Sequence, residues 1–282
     1  MHPLKIIVTV KQVPDTNQVK IDPVTNSLVR EGVPSIINPE DRNAIEVALW
    51  FKEHVGAETT ALCMGPPQAV SALEEALAMG IDKAVLLSDR AFAGSDTLVT
   101  AFTLSRAVMK IGTYDLILCG RQAIDGDTAQ VGPQLAGFLG LPQITYAEEI
   151  QYDGMTLTIR RGLEDSNEWI RVKLPALVTV SAGINRPRHP SLYNIVAACD
   201  PERITRLTAT DLKVPAAMLG LTASPTKVKK IFEPERHARA EMLEGEPSHM
   251  ARQLIEKLRA LHALDREHNP HEREVSSAFN RL

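Results

Sequence analysis

The chain has 282 residues, a formal net charge of −4 at pH 7 and only 4% aromatic residues. This length suffices for one large domain or two modest ones, and the acidic balance argues against a nucleic-acid-binding protein, which needs a basic surface. The longest apolar runs are shorter than the roughly 18–20 residues that span a bilayer, and the N-terminal residues lack the features of a signal peptide. Cys63, Cys119 and Cys199 are isolated, which favours buried structural thiols in a reducing cytoplasm over a zinc or dithiol site.

Apolar and amphipathic segments alternate along the chain through residue 140. Four short runs rich in aliphatic and β-branched residues predict buried strands at 4–10, 59–64, 83–89 and 115–119. Each run is followed by apolar residues at helical spacing, which predicts helices at 38–56, 67–80, 95–112 and from Thr128 to Phe138. The expected N-cap of the first helix is Asn38, that of the third is Ser95 or Asp96, and glycines close the helices.

Four successive strand–helix units predict an α/β fold. The sheet should be parallel and doubly wound, with right-handed crossovers and helices on both faces. In such a sheet, ligands bind beyond the carboxyl ends of the strands. The loops after Val10, Met64, Asp89 and Cys119 all lie at this edge, and their convergence predicts a binding site there.

The pattern changes after residue 141. Alternating residues around Asp153-Gly154 predict a β-hairpin at 143–161, and two further strands and a short helix are predicted at 168–174, 176–182 and 190–198. We expect these strands to be antiparallel additions to the same sheet.

The change of pattern towards the C-terminus divides the whole chain into three predicted parts. Residues 1–200 form the α/β nucleotide-binding domain, and residues 201–264 form an extended arm that wraps over something else. The arm ends in an amphipathic helix with Met250, Leu254, Leu258 and Leu261 on one face. Residues 265–282 are a polar tail, for which we expect solvation and disorder.

The turn after the fourth strand, CGRQAIDGDTAQVGP (119–133), has the composition of a ligand-binding loop. A helix that starts at Thr128 would point the amides of residues 128–130 at the sheet edge. These amides and the helix dipole favour an anion. Gly120 and Gly126 permit close approach of the backbone.

The other side chains of this turn leave two interpretations open. Asp125 and Asp127 repel phosphate, so they fit either a helix cap or the hydroxyl groups of a ribose. Arg121 and Gln122 would then meet a phosphate or the edge of a ring. The turn is therefore either a nucleotide site or an ordinary strand-to-helix loop with an aspartate cap.

Two other loops at this edge carry polar or flexible residues. Met64 and Gly65 form a tight turn, and Asn38, Glu40 and Asp41 open a helix. Each group alone is more typical of capping, but their common position favours a shared pocket. The sequence contains no Walker loop, no G-x-G-x-x-G and no hydrolase or zinc motif, and its eight histidines are scattered. We expect no catalytic residue and no metal, and a bound ligand that supplies the chemistry.

Five segments resemble the electron transfer flavoprotein β subunit family. They are VTVKQVPDT, INPEDRNAIEVAL, ALAMGIDKAVLLSD, GRQAIDGDTAQVGPQLAGFLGLPQ and LPALVTVSAGINRPRHPSLYNI, and the resemblance extends over residues 1–260. It implies an adenine nucleotide α-hydrolase-like fold and an obligate heterodimer with an α subunit that carries a second flavin on a mobile domain. It also implies that the C-terminal arm wraps this partner.

By position, the resemblance implies nucleotide contacts in the loops already identified. These contacts are Thr9, Asn38, Asp41, Met64, Gly65, Gly120, Arg121, Gln122, Ala123, Ile124, Gly126, Asp127, Thr128, Ala129, Gln130 and Val131. The segment RPRHPSLYNI resembles the family's docking loop for acyl-CoA dehydrogenases, with Leu192 as its apolar anchor. Without the resemblance, Leu192 would be interpreted as packing the start of a short helix.

The resemblance leaves two ligands open. Conventional members hold AMP and shuttle electrons between acyl-CoA dehydrogenases and a quinone reductase, whereas electron-bifurcating members hold FAD. The segments DGDTAQVGP and SDRAFAGSDT resemble the bifurcating group, in which Asp96, Thr97 and the loop at 90–94 would leave room for the flavin ring.

We therefore expect FAD in this site and NADH as the electron donor. The acceptors would be ferredoxin or flavodoxin on one branch and an acyl-CoA dehydrogenase or quinone reductase on the other. The conventional AMP-binding carrier is the first alternative. A nucleotide-binding regulator or hydrolase on a similar sheet is the alternative from a different class.

Overall fold

The computed structural model describes residues 3–15, 35–229 and 241–261. The chain divides into two compact units, Met1–Phe232 and Glu233–Leu282. The domain boundary predicted at residue 200 falls inside the first unit. The polar tail predicted at 265–282 lies outside the described residues.

The first unit alternates strands and helices. In chain order, its strands are β1 (Lys5–Val10), β2 (Gln12–Pro14), β3 (Ser35–Ile37), β4 (Glu58–Met64), β5 (Lys83–Leu87), β6 (Leu116–Gly120), β7 (Gln143–Tyr152), β8 (Thr156–Gly162), β9 (Asn167–Lys173), β10 (Ala176–Val180) and β11 (Ile204–Leu207). Its helices are α1 (Pro39–Val55), α2 (Val70–Met79), α3 (Thr97–Ile111), α4 (Val131–Leu139), α5 (Leu192–Ala198), α6 (Ala209–Leu212) and α7 (Gly220–Ala223). All four predicted strand–helix units are present.

Nine strands form one sheet in the order β11–β5–β4–β1–β6–β10–β7–β8–β9. Neighbours from β11 to β7 are parallel, while β7–β8 and β8–β9 are antiparallel. The predicted fold class, a parallel doubly wound sheet with antiparallel additions, is confirmed. β2 and β3 pair separately as a small antiparallel sheet.

The sequence does not predict the strands β2, β3 and β11, and it predicts a different orientation for β10. β10 runs parallel between β6 and β7, so the antiparallel addition consists of β8 and β9. β11 extends the sheet beyond residue 200, where no strand was predicted. It is only four residues long and has two exposed residues, which is too short for a periodic signal.

Helices cover both faces of the parallel strands. On one face, α1 packs against β1 and α2 packs against β4 and β5, in a core that contains Ile6, Val8, Ile45, Leu49, Leu73 and Leu77. On the other face, α3 and α4 pack through Leu104, Val108, Leu135, Ile7 and Ile117. Successive side chains of a strand point to opposite faces, so the strands are apolar on both sides, as a covered parallel sheet requires.

The direction of winding reverses at β1. The next two strands of the parallel sheet, β4 and β5, lie on one side of β1, and β6 lies on the other. The helices that follow β1 and β6 cover opposite faces, so the topology predicts a crevice at the carboxyl ends of these two strands. Ligands of open α/β sheets bind in such a crevice.

The second unit contains helix α8 (Pro247–Ala260), at the position predicted for an amphipathic helix. No residue of α8 is buried by the described part of the chain, and Leu254 and Ile255 are almost half exposed. Lys257 Nζ donates to Glu241 Oε1 at 2.7 Å within this unit. Of the helices that the structure describes, none has the length and apolar character needed to cross a bilayer.

Candidate functional site

The start of α1 holds the loop that follows β6. Asn38 Nδ2 donates to the carbonyl oxygen of Gln122 at 2.8 Å, and its Oδ1 accepts from the Ile124 amide at 3.0 Å. Glu40 Oε2 accepts from the Gln122 amide at 2.9 Å, and Glu40 Oε1 pairs with Arg121 Nη2 at 2.9 Å. Asn38 occupies the predicted N-cap position, but its side chain binds the loop rather than the helix amides.

Asp41 joins the ends of the two strands that border the crevice. Its Oδ2 accepts from the Lys11 amide, just after β1, at 2.8 Å. Its Oδ1 accepts from the Gly120 amide, at the end of β6, at 3.2 Å. Burial raises the pKa of Asp41 to about 7, although these hydrogen bonds favour the carboxylate. The carboxyl group is therefore a structural bridge that titrates near neutral pH.

Gly120 has no room for a side chain. A Cβ atom there would lie 2.3 Å from Asp41 Oδ1 and 2.8 Å from the Asp41 backbone nitrogen. At Gly126, in the same turn, nothing in the described residues lies within 4 Å of a Cβ position. The close approach at Gly120 is therefore to α1 itself, whereas position 126 is open.

The helix after this turn begins later than predicted. α4 begins at Val131 with Gln130 as its N-cap, so the predicted start at Thr128 is wrong. Asp127 and Ala129 have φ angles of +51° and +53°. This left-handed conformation is incompatible with a right-handed helix, so the chain becomes helical only after residue 129.

Because α4 begins later, the amides at its start belong to other residues than those predicted to bind an anion. Val131 and Gly132 occupy the first two helical positions, where an amide has no partner within the helix. Pro133 has no amide hydrogen. Thr128 belongs instead to an exposed, irregular segment. The N-terminus of α4 and its dipole still lie at the carboxyl edge of the sheet.

Charged and polar side chains of the turn bind one another. Lys11 Nζ contacts the two carboxylate oxygens of Asp125 at 2.6 and 2.8 Å. Gln122 Nε2 donates to Asp127 Oδ1. Neither aspartate caps α4, so that predicted alternative is wrong. Sequence reasoning missed Lys11, although a lysine directly after a strand end at the binding edge is a usable signal for such a pair.

Arg121 keeps an unused donor. Its Nε atom is buried and has no hydrogen-bond partner among the described residues. Its Nη2 is held by Glu40, so the guanidinium has a fixed position. A buried polar atom without a partner is costly, and an acceptor on a ligand would relieve that cost.

The turn after β4 is tight. Met64 is the last residue of β4, and the Gly65 amide donates to the carbonyl oxygen of Leu87, at the end of β5, at 3.0 Å. A Cβ atom at Gly65 would lie 2.8 Å from Ala69 Cβ. The glycine therefore lets the chain turn at the carboxyl edge into the short 3-10 helix Pro67–Ala69 that precedes α2.

The loop after β5 is joined to the turn after β6. Asp96, rather than Ser95, caps α3, and its Oδ1 accepts from the Val99 amide at 3.0 Å. Thr97 Oγ1 donates to Gln130 Oε1 at 2.9 Å. The two loops are therefore in contact at the carboxyl edge of the sheet.

Two of the three thiols are buried, as predicted. Thr9 lies opposite Cys119 in the sheet. Burial raises the pKa of Cys63 and Cys119 to about 12, so both thiols stay protonated. The prediction is wrong for Cys199, which is exposed because it follows the short surface helix α5.

The segment before α5 is fixed to α1. Asn43 Nδ2 donates to Asn185 Oδ1 at 2.9 Å, and the Arg188 amide donates to Glu46 Oε2 at 2.9 Å. Leu192, the first residue of α5, is 80% exposed. The alternative interpretation, in which Leu192 packs the start of the helix, is therefore wrong.

In the ranges that the structure describes, His, Cys, Asp and Glu side chains form no cluster suited to a metal ion. Residues 25–212 match the electron transfer flavoprotein domain. The chain belongs to the electron transfer flavoprotein family. This membership makes it part of a flavoprotein that carries electrons, and it favours the two carrier functions considered above over a regulator or hydrolase.

The electron transfer flavoprotein resemblance found in the sequence is confirmed by individual relatives. The electron transfer flavoprotein subunit beta of Thermoanaerobacterium thermosaccharolyticum is 50% identical over 261 residues, which cover 93% of this chain and all of that protein. The same subunit of Clostridium acetobutylicum is 51% identical over 259 residues, covering 92% and 99%. The caffeyl-CoA reductase-Etf complex subunit CarD of Acetobacterium woodii is 46% identical over 263 residues, covering 93% and 100%.

Proposed function

We propose that this chain is a β subunit that binds FAD at the carboxyl edge of its sheet and forms a heterodimer with an electron transfer flavoprotein α subunit. The heterodimer takes two electrons from NADH in the cytoplasm. It passes one to ferredoxin or flavodoxin and the other to an acyl-CoA dehydrogenase or a quinone reductase. The observation that carries this proposal is that the start of α1 binds the turn at 120–131 at the point where the winding of the sheet reverses between β1 and β6.

The donors at the crevice fit the phosphates of a nucleotide. Arg121 offers the buried Nε–H that the described residues leave unused, and a charge-assisted hydrogen bond to phosphate is strong. The amides of Val131 and Gly132 lie at the start of α4, where the helix dipole also favours an anion. The hydroxyl of Thr128 is exposed beside them and suits a ribose or phosphate oxygen.

The loop after β5 supports FAD over AMP. Ala93 and Gly94 are exposed and small, and Thr97 joins this loop to the nucleotide turn through Gln130. Small residues in this loop suit a ring system larger than adenosine, and Leu221 lies against one side of Gly94. FAD supplies the redox chemistry when it is bound. The residues of this chain bind it, orient it and keep other acceptors away.

Two exposed apolar surfaces support the proposed partners. In the second unit, the apolar side of α8 is uncovered by the described residues, and an amphipathic helix needs an apolar surface for stability. We assign that surface to the α subunit. In the first unit, Leu192 is the anchor for a partner flavoenzyme. The name of the Acetobacterium relative, a subunit of a caffeyl-CoA reductase complex, supports a partner that acts on acyl-CoA esters.

The flavin content of the purified heterodimer tests the proposal. The chain is expressed together with its α subunit, and the extracted nucleotides are quantified by chromatography. We expect two FAD molecules per heterodimer and bleaching of the flavin absorbance by NADH without oxygen. One FAD and one AMP would show the conventional carrier instead. A heterodimer without any flavin would refute both.

A matched pair of variants locates the nucleotide. Thr128→Leu places a bulky apolar side chain in the nucleotide turn, and Ser166→Leu makes a comparable change in an exposed turn between β8 and β9. We expect the first variant to lose the nucleotide and the second to keep it. Asp127 is left unchanged because its φ of +51° would strain a leucine. Full nucleotide content in Thr128→Leu would contradict the assigned position.

A further inference from the structure

A segment of the first unit crosses the loop between β5 and α3. This segment, residues 219–226, is named the strap. The Leu221 amide donates to the carbonyl oxygen of Ala93 at 3.0 Å. Gly220 has a φ of +61°, and a Cβ atom there would lie 2.4 Å from the carbonyl oxygen of Ala91. Only glycine lets the strap pass so close to the loop.

Asp96 receives the end of the strap. Its Oδ2 accepts from the amide of Thr226 at 3.0 Å and from the Thr226 hydroxyl at 2.8 Å. The Asp96 amide donates to Ser224 Oγ at 2.9 Å. Its other carboxylate oxygen caps α3 by accepting from the Val99 amide. One carboxylate oxygen of Asp96 therefore caps α3, and the other binds the strap.

The contacts continue from Asp96 to the nucleotide turn. The next residue, Thr97, donates its hydroxyl hydrogen to Gln130, which is the N-cap of α4. Hydrogen bonds thus connect Thr226, at the end of the strap, with the turn at 120–131. The second compact unit of the chain begins at Glu233, a few residues after Thr226.

We propose that Asp96 is a positioning residue that couples the strap to the nucleotide turn, so that an attached strap retains bound FAD and a released strap lets it leave. This inference rests on the proposed function, because it takes FAD as the ligand. With Thr226 bound, Asp96 is fixed from both the helix side and the strap side. Without Thr226, Asp96 Oδ2 loses its strap contacts, and Asp96 keeps only the cap of α3 and the bond from its amide to Ser224 Oγ.

A matched pair of threonine variants tests the coupling. Thr226→Val removes the hydroxyl that binds Asp96. Thr208→Val removes an equivalent bond, because the amide and hydroxyl of Thr208 bind Asp211 Oδ2 at 2.8 and 2.7 Å in the capping box of α6. Both variants therefore lose one exposed threonine–carboxylate bond, but only the first loses a bond to the site.

The measurement is the rate of FAD dissociation from the heterodimer, followed by the fluorescence of the released flavin. We expect Thr226→Val to release FAD about 5- to 10-fold faster than the unaltered protein, and Thr208→Val to stay within about 2-fold. The visible absorbance bands of bound flavin should shift only in Thr226→Val. Thr226→Ser, which keeps the hydroxyl, should restore both properties.

Equal FAD release and equal spectra in the two valine variants would overturn the coupling. Trypsin cleavage after Arg90, which is exposed in the loop under the strap, tests the strap without any ligand. Cleavage should be faster in Thr226→Val than in Thr208→Val, and equal rates would overturn the strap itself. If the unaltered heterodimer carries no FAD, the proposed function fails, while the cleavage experiment still decides whether the strap holds this loop.

Discussion

Gly120→Ala tests the contact between α1 and the turn that forms the candidate site. The added Cβ would lie 2.3 Å from Asp41 Oδ1 and 2.8 Å from both the Asp41 backbone nitrogen and the Glu40 carbonyl carbon. Two of these three atoms belong to the backbone of a helix, so they cannot rotate away as the end of a flexible side chain would. The start of α1 or the end of β6 must therefore move.

The expected loss of stability has two parts. Inserting a methyl group into a packed region costs about 1–3 kcal/mol, and a clash with backbone belongs at the upper end. Displacing Asp41 also weakens its bond to the Gly120 amide, which adds roughly 1 kcal/mol. We therefore expect the free energy of unfolding to fall by about 3–4 kcal/mol. The turn at 120–131 should lose its conformation, so bound nucleotide should fall as well.

Gly126→Ala is the matched control for Gly120→Ala. It makes the same change six positions later in the same turn, where nothing in the described residues lies within 4 Å of a Cβ atom. We expect no loss of stability, or a gain of about 0.4–1 kcal/mol from the stiffer unfolded chain. Urea unfolding and nucleotide content are measured for both variants. If Gly120→Ala unfolds at the same urea concentration as Gly126→Ala and keeps its nucleotide, the reasoning is refuted.

Three further predictions concern pH, docking and β11. The folded-state pKa of Asp41 lies above its unfolded value, so the contribution of Asp41 to stability is present at low pH and is lost as pH rises towards about 7. Between pH 5 and pH 8, this loss lowers the free energy of unfolding by about 3 kcal/mol. In Asp41→Asn this decline should be absent, as measured by urea unfolding at several pH values. Leu192→Ala should raise the KM for the partner flavoenzyme about 10-fold, whereas the exposed neighbour Val196 should tolerate alanine; equal effects would contradict the anchor. Arg203 directly precedes β11, and its Nη2 donates to the carbonyl oxygens of Ile81 and Asp82 at 2.7 and 3.0 Å. Arg203→Met should therefore lower the free energy of unfolding by about 2 kcal/mol. An unchanged urea midpoint would contradict this prediction.

The sequence predicts the sheet and the edge at which the site lies because both depend on local patterns. The strand–helix alternation requires only apolar spacing and caps, such as Gly56 after α1, which adopts the left-handed conformation at φ +74°. The strand ends then meet at one edge by topology alone. β11 escapes prediction because its four residues acquire their position from pairing with β5.

The sequence does not predict which side chains the site residues bind. Asn38 and Asp41 carry the marks of a helix start, yet they bind Gln122 and Gly120, about 80 positions away along the chain. Tertiary packing selects these partners. The start of α4 is not predicted correctly for a related reason, because Ala129 has a high helix propensity but is held at φ +53°. Local propensity is overridden where the chain is shaped by contacts with other elements.

One helix, α1, supports both the nucleotide turn and the segment that precedes Leu192. Residues 38–41 at its start bind the turn after β6. Along the same helix, Glu46 and Glu53 bind Arg188, whose Nη2 lies 2.8 Å from Glu46 Oε1 and 3.1 Å from Glu53 Oε2. These carboxylates raise the pKa of Arg188 above its already high value, so the guanidinium keeps its charge. A packed helix of 17 residues is stiff, so the separation between the two sites is set by a rigid element rather than by loops. Under the proposed function, α1 therefore fixes the distance between the nucleotide turn and the docking segment around Leu192.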